Sequence, residues 1–353
     1  MTMRGNPWFR IAVTAGTVVL VLLLTASWRF LASHGVFTSV KLLSPGLCRT
    51  IEGVPGAGDI AVDSTDRIAF IAVAAHAPSK RDGLYAYAYG SPGARLVKLS
   101  GAPSDFHPVA ISLRRDAGGA TLMAINHRGD GGFSVAVFTL EITAGTAKLA
   151  EIGSVTGDVL IDPADIAALD ANRFYVVNRH TSHTKLGRWL DDVFALPRSN
   201  VLYFDGVKFV PVAEQLIAAS GLALSTDGRF VFVSENSGRT LLSFGRNPFT
   251  GQLDNAGSLA IPSGLEKVNV SDDGDVWIAG QPKTFAVNTF RGDPARPAPS
   301  QVFRVTVRGG VPQSVSLVYA NRGDEIGAAS AAALAGGHLF IGSTLDDKLL
   351  DCR

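Results

Sequence analysis

The sequence predicts an all-β chain, a six-bladed β-propeller preceded by an apolar N-terminal helix. Three observations carry this. Beyond residue 48 no long stretch keeps an apolar period of 3.6; short β-branched and aromatic runs alternate with Asp, Asn and Gly turns. One unit, an apolar strand, a tight polar turn and a more hydrophobic strand, returns six times. The two cysteines of the chain, Cys48 and Cys352, bracket all six copies.

The N-terminus comes first. Ile11–Trp28 carries no charged residue, with Arg4 and Arg10 before it and Arg29 after it. About 18 uncharged residues is the lower edge for a membrane-spanning helix and longer than a usual signal-peptide core. The expected layout is a cytoplasmic tail over residues 1–10, a transmembrane segment or signal anchor over 11–31 and a linker over 32–47. A cleaved signal is the other reading, since Thr25-Ala26-Ser27 and Leu31-Ala32-Ser33 are tolerable cleavage sites. Both place the body, residues 48–353, on the exported side of a membrane, periplasmic or extracellular, and the charges flanking the helix favour a cytoplasmic N-terminus.

The six copies are Ile60–Ile71, Ile111–Ile125, Ile166–Val177, Leu222–Val233, Val268–Ile278 and Ala331–Ile341. Their turns recur at roughly 45- to 65-residue intervals, the spacing of a four-stranded propeller blade. A large β-sandwich is the competing fold, but its strands do not repeat in sets of this period. Inner strands of a propeller line one channel, so residues just before each of them converge at one mouth.

The cysteine pair reads as a clasp between the two ends of a closed fold in an oxidising compartment; two unrelated free thiols are the alternative. Composition narrows the function. Thirty-two basic residues oppose 31 acidic ones, which is no footprint of a nucleic-acid binder. The Pro-rich stretch Arg291–Pro299 reads as an exposed loop. There is no Gly-rich phosphate loop and no Gly-x-Ser-x-Gly elbow.

Two tripeptides of one type, Gly58-Asp59-Ile60 and Ala164-Asp165-Ile166, lead into inner strands. Carboxylates facing each other across a channel repel unless a cation or a proton lies between them. The alternative is that each Asp caps a turn.

From residue 41 onward the chain resembles the paraoxonase/arylesterase family. Cys48–Ile60 looks like that family's opening, in which a cysteine leads to an acidic calcium-binding pair. Phe106–Ser112 is similar to its Pro-His-Gly-Ile-Ser motif, and Ile125-Asn126-His127 resembles its Val-Asn-His strand end. Val318–Asn321 and Leu339–Gly342, leading to Cys352, look like its C-terminus. The resemblance implies a six-bladed propeller with a Cys48–Cys352 disulfide, two calcium ions in the channel, and hydrolysis of ester or lactone bonds.

Carried over residue by residue, the resemblance implies one structural calcium held by Asp59, Asp165 and the backbone carbonyl of Ile111, a hard-oxygen set that suits the ion. The catalytic calcium is expected to be lost. Its positions are Gly58, Ala164, Ser220, Glu266 and Lys267; Glu266 alone brings a charged oxygen, Ser220 is a weak neutral ligand, and Lys267 brings a cation. The first histidine of the family pair falls on Val109, with His107 two residues away; His127 keeps its place, and Gln281 stands where the family has another channel histidine.

Three functions follow. The first is a calcium-dependent ester or lactone hydrolase. The second is a non-catalytic propeller at the membrane that binds a small molecule or a protein, with Lys267 neutralising Glu266. The third is an altered enzyme in which His107 or His127 is the base and Lys267 stabilises an oxyanion. Asn178–His183, with two histidines three apart, reads as an exposed loop, and Leu186–Leu196 as an amphipathic helix packed on the propeller.

Overall fold

The computed structural model describes residues 7–353 except 76–78, 92, 117, 118, 144 and 145. The expected cytoplasmic tail, with Arg4, falls largely outside the described residues.

The chain opens with helix α1 (Pro7–Ser33). Within it Val13–Ala32 is apolar enough to cross a membrane and none of that stretch is buried, a property that anchors and signal sequences share. The following segment docks on the propeller, with Leu43 and Ala320 exchanging backbone hydrogen bonds of 2.9 and 2.8 Å.

After β1 (Cys48–Glu52) come five blades of consecutive strands. Blade one is β2 (Ala57–Asp63), β3 (Ile68–Val73), β4 (Gly83–Ala88) and β5 (Leu96–Lys98). Blade two is β6 (Pro108–Asp116), β7 (Gly119–His127), β8 (Phe133–Thr143) and β9 (Thr146–Thr156). Blade three is β10 (Pro163–Ala168), β11 (Phe174–Asn178), β12 (Ser199–Phe204) and β13 (Phe209–Leu216), with helix α2 (Lys185–Phe194) between its middle strands. Blade four is β14 (Ala219–Leu224), β15 (Phe230–Glu235), β16 (Thr240–Arg246) and β17 (Leu253–Ala260). Blade five is β18 (Gly264–Val270), β19 (Val276–Gln281), β20 (Ser300–Arg308) and β21 (Val311–Asn321), with helix α3 (Thr284–Gly292) after β19. Blade six takes β22 (Ala329–Ala335), β23 (His338–Ser343) and β24 (Lys348–Cys352) from the C-terminus and β1 from the N-terminus.

The six repeated units are thus the first two strands of each blade. The second strands are the most apolar because both their faces are covered: all six residues of β3 and all of β11, β19 and β23 are buried. Aromatic residues fill the space between blades; Phe340, fully buried, packs edge-on against Tyr89 with ring centroids 5.3 Å apart. Outer strands such as β13 and β21 mix buried, intermediate and exposed positions.

β1 pairs antiparallel with β24, and Cys48 stands opposite Cys352, to which it is disulfide-bonded. The cysteines are a clasp, and the first strand of the body completes the last blade. Arg291–Pro297 is exposed as expected, although Arg291 and Gly292 end α3 and Ala298 is fully buried.

One irregularity recurs in every blade. The inner strands β2, β6, β10, β14, β18 and β22 pack side by side around the channel. Each breaks register against its neighbour near its start, between Ala57 and Asp59, Pro108 and Ala110, Pro163 and Asp165, Ala219 and Gly221, Leu265 and Val268, and Ala329 and Ala331. A bulge leaves one extra residue outside the ladder and re-aims its side chain. The extra residues are Gly58, Val109, Ala164, Ser220 and Ser330, and in β18 Glu266 and Lys267 together stand against the single residue Ala279.

Candidate functional site at the channel mouth

The bulges open onto a cavity of about 700 Å³. Its lining includes Gly58, Val109, Ala164, Ser220, Glu266, Lys267, His107, His127 and Gln281, so every position at which the sequence placed chemistry of the mouth meets there. Asp59 and Asp165 lie one residue deeper and face a second cavity of about 190 Å³ on the other side of the channel.

The two histidines come together. His127 ends β7, and its N–H donates to the His107 carbonyl at 3.0 Å, just past the last ladder pair. Their rings meet edge to face with centroids 5.9 Å apart, and His127 also stacks on Phe133 at 4.8 Å. The two-residue displacement from Val109 therefore does not part the pair: His107 precedes the bulge, where the chain turns back over the mouth. His107 Nδ1 lies 2.7 Å from Asp82 Oδ2. Asp82 is itself fixed by the Ala75 and Ser79 N–H groups, at 3.0 and 2.8 Å. Burial, and then the neighbouring His107, hold His127 below the usual imidazole value, so it stays unprotonated and free to accept a proton at neutral pH.

Lys267 pairs with Asp165 rather than with Glu266. Its ammonium donates to the Ala164 carbonyl oxygen and lies 3.4 Å from Asp165 Oδ1. The residue lines the mouth cavity, but its ammonium is committed to these partners. Glu266 instead accepts from Asn236 Nδ2 at 2.8 Å and faces Arg179 Nη1 at 3.7 Å. Burial raises the Glu266 carboxyl while Arg179 and Lys267 pull it back. Ser220 spends its hydroxyl on the Ala218 carbonyl at 3.1 Å, and Gln281 Nε2 donates to the Ala328 and Ala329 carbonyls at 3.3 Å.

Asp59 Oδ1 and Oδ2 accept the Ile60 and Ile111 N–H groups, both at 2.8 Å. Asp165 does the same with Ile166 at 2.9 Å and Leu222 at 2.7 Å. Each carboxylate so ties its strand to the next blade. Burial raises both carboxyls, Asp165 to about 8, with Lys267 acting in the opposite direction.

These contacts test the implied calcium. The Ile111 N–H is committed to Asp59 Oδ2. Each of the four carboxylate oxygens accepts one backbone N–H and keeps a second acceptor site, so what stands against the ion is the ammonium beside Asp165. Among the described residues no group of three or more His, Cys, Asp or Glu is placed to hold a metal ion. With the Lys267 ammonium in place the set at Asp59, Asp165 and Ile111 does not fit the ion, Glu266 and the committed Ser220 hydroxyl offer one carboxylate between them, and no chemical step is derived through it.

Several mouth residues carry no motif. Asp82 comes from a different blade than the histidine it holds. His180 is buried rather than in an exposed loop, whereas His183 is exposed as expected. His180 sits 2.6 Å from Asp162 and 3.1 Å from Asp192. Burial works against its charge, but the hydrogen bonds of the two carboxylates prevail and raise it above the usual imidazole value. Helix α2 forms where an amphipathic stretch was expected. Thr184 caps it, accepting from Gly187 N at 3.1 Å, and Arg188 and Asp192 face the cavity while Leu186 and Trp189 face outward.

Fold and site define a disulfide-closed six-bladed propeller with a polar, histidine-bearing cavity at its channel mouth. The chain belongs to the arylesterase family, whose family model matches residues 39–353. It is 26% identical to serum paraoxonase/arylesterase 1 of Mus musculus over 70% of this chain and 69% of that protein. It is 24% identical to serum paraoxonase/arylesterase 2 of Homo sapiens over 87% of this chain and 88% of that one. Among solved structures, a gluconolactonase from Xanthomonas campestris shares the fold with a TM-score of 0.52 and 17% identity, covering 88% of this chain and 91% of that one. The apolar helix and the disulfide fit an exported, signal-anchored member.

Proposed function

We propose that this chain hydrolyses ester or lactone bonds of small molecules at the channel mouth, with the Asp82–His107–His127 series in place of a catalytic calcium. The observation that carries the reading is the edge-to-face histidine pair in the mouth cavity, with Asp82 2.7 Å from His107. The membership of the chain in the arylesterase family and its likeness to a gluconolactonase support the bond type.

In this mechanism His127, kept neutral by burial, takes a proton from a water molecule as the water oxygen bonds to the acyl carbon. Asp82 holds His107, and His107 orients His127 by ring contact. Collapse of the tetrahedral intermediate breaks the acyl C–O bond, and the leaving oxygen recovers the proton from His127. Arg179, which lines the cavity beside Glu266, supplies positive charge near the developing oxyanion.

A second reading, a small-molecule-binding propeller without catalysis, is favoured by Gly58 and Ala164, which leave two mouth positions without a polar side chain. The test is turnover of phenyl acetate and of aliphatic lactones by the full chain in excess EGTA. Slow turnover that survives EGTA and is abolished in His127→Gln is expected. Lactone binding without turnover would establish the second reading. Turnover abolished by EGTA and by Glu266→Ala would overturn both in favour of a calcium enzyme.

A further inference from the structure

Two residues past the ladder pair where each register break begins, the inner strands place Asp59, Ala110, Asp165, Gly221, Lys267 and Ala331 in a layer that separates the two cavities. The three uncharged members are small and buried. Gly221 has no room for more, since a Cβ there would lie 2.4 Å from the Glu266 carbonyl oxygen. This leaves space for one long side chain. Lys267 enters from blade five, passes blade four, and ends on the Ala164 carbonyl and Asp165 in blade three. Asp59, Asp165 and Lys267 are each at most 5% exposed. Two buried carboxylates need a nearby positive charge or a proton, and a covalently attached charge is present in every molecule without capture from solvent.

We propose that Lys267 is the resident cation of this channel, bridging blade five to the Asp59–Asp165 pair and making the propeller independent of calcium. A divalent ion would have to displace the ammonium or sit against it, and like charges in a buried site repel strongly. The proposal concerns the fold and stands whether or not the mouth is catalytic.

The full chain in detergent, dialysed against EGTA, tests it through metal analysis and thermal unfolding. Wild type is expected to hold no calcium per chain and to melt at one temperature in excess EGTA and in excess calcium. Stoichiometric calcium that survives dialysis, or a melting temperature lowered by EGTA, would overturn the proposal even if no variant folds. Lys267→Asn uncovers the carboxylates and adds an oxygen donor. Its melting temperature should fall in EGTA and recover toward wild type with calcium but not magnesium. An equal fall in both would show that the ammonium does not occupy an ion's place. Lys267→Arg keeps the charge and should remain indifferent to calcium; calcium dependence in this variant would count against the proposal.

Discussion

Replacing both cysteines by serine measures what the clasp does. Cys48 and Cys352 are 304 residues apart in sequence, so the bond closes nearly the whole body into one loop. In the chain-entropy model a loop of that length removes about 19 cal/mol/K from the unfolded ensemble, or about 5.7 kcal/mol at 25 °C. The folded state changes little in the variant, because β1 stays bound to β24 through five residue pairs and Cys352 is buried in the core beside them. The effect therefore belongs to the unfolded chain. Urea unfolding of the full chain in detergent, followed by both tryptophan fluorescence and far-UV circular dichroism, should show Cys48→Ser/Cys352→Ser losing at least about 2 kcal/mol, with the loop-entropy value as its ceiling. The denaturant slope should rise as well, since an open unfolded chain exposes more surface. A loss below about 1 kcal/mol with an unchanged slope would refute the argument, and would mean that the β1–β24 ladder alone closes the ring.

Further outcomes concern the mouth. Asp82→Asn removes the charge from a buried 2.7 Å hydrogen bond to His107; a charge-assisted bond of this kind is worth about 1.5–3 kcal/mol, so kcat/KM should fall about 10- to 150-fold. If Asp82 acts through His107, His107→Gln should cost a similar factor and the double variant little more; additive losses would separate the two residues. Burial lowers the His127 pKa, so the neutral base persists to lower pH than a free imidazole, and the acid limb of kcat/KM should fall below pH 6.5. A limb at or above that value would exclude His127 as the base.

What the sequence disclosed was the part written locally. An inner strand, its turn and the apolar strand after it are contiguous, so Leu222–Val233 and its five counterparts announce the blades. The outer strands are less legible. β5 is three residues long and β13 mixes both kinds of position, because they bury one face at most. Cys48 and Cys352 were readable as a clasp because they stand at the two ends of the repeats, although the sequence left free thiols open until the disulfide was seen. The converging mouth positions were also foreseeable, but not the partner each would choose. Lys267 stands beside Glu266 in sequence yet reaches across the channel to Asp165, since adjacent residues at a bulge point apart. Asp82 and His180 escaped for a similar reason. Their partners arrive from other turns of the chain, and no spacing within one segment encodes such an encounter.

The repeated bulge has a consequence for how such a chain changes over time. Residues outside the ladder contribute little to strand pairing, so Gly, Val, Ala, Ser or Glu can occupy them while the aromatic packing between blades goes on undisturbed. Five of these positions line the mouth cavity, and the frame restrains them only locally, as where a Cβ on Gly58 would meet Thr344. The layer beneath lacks that liberty, because Asp59 and Asp165 each fasten neighbouring blades. A lineage can rewrite the upper ring one letter at a time, whereas the lower ring has to change as a set.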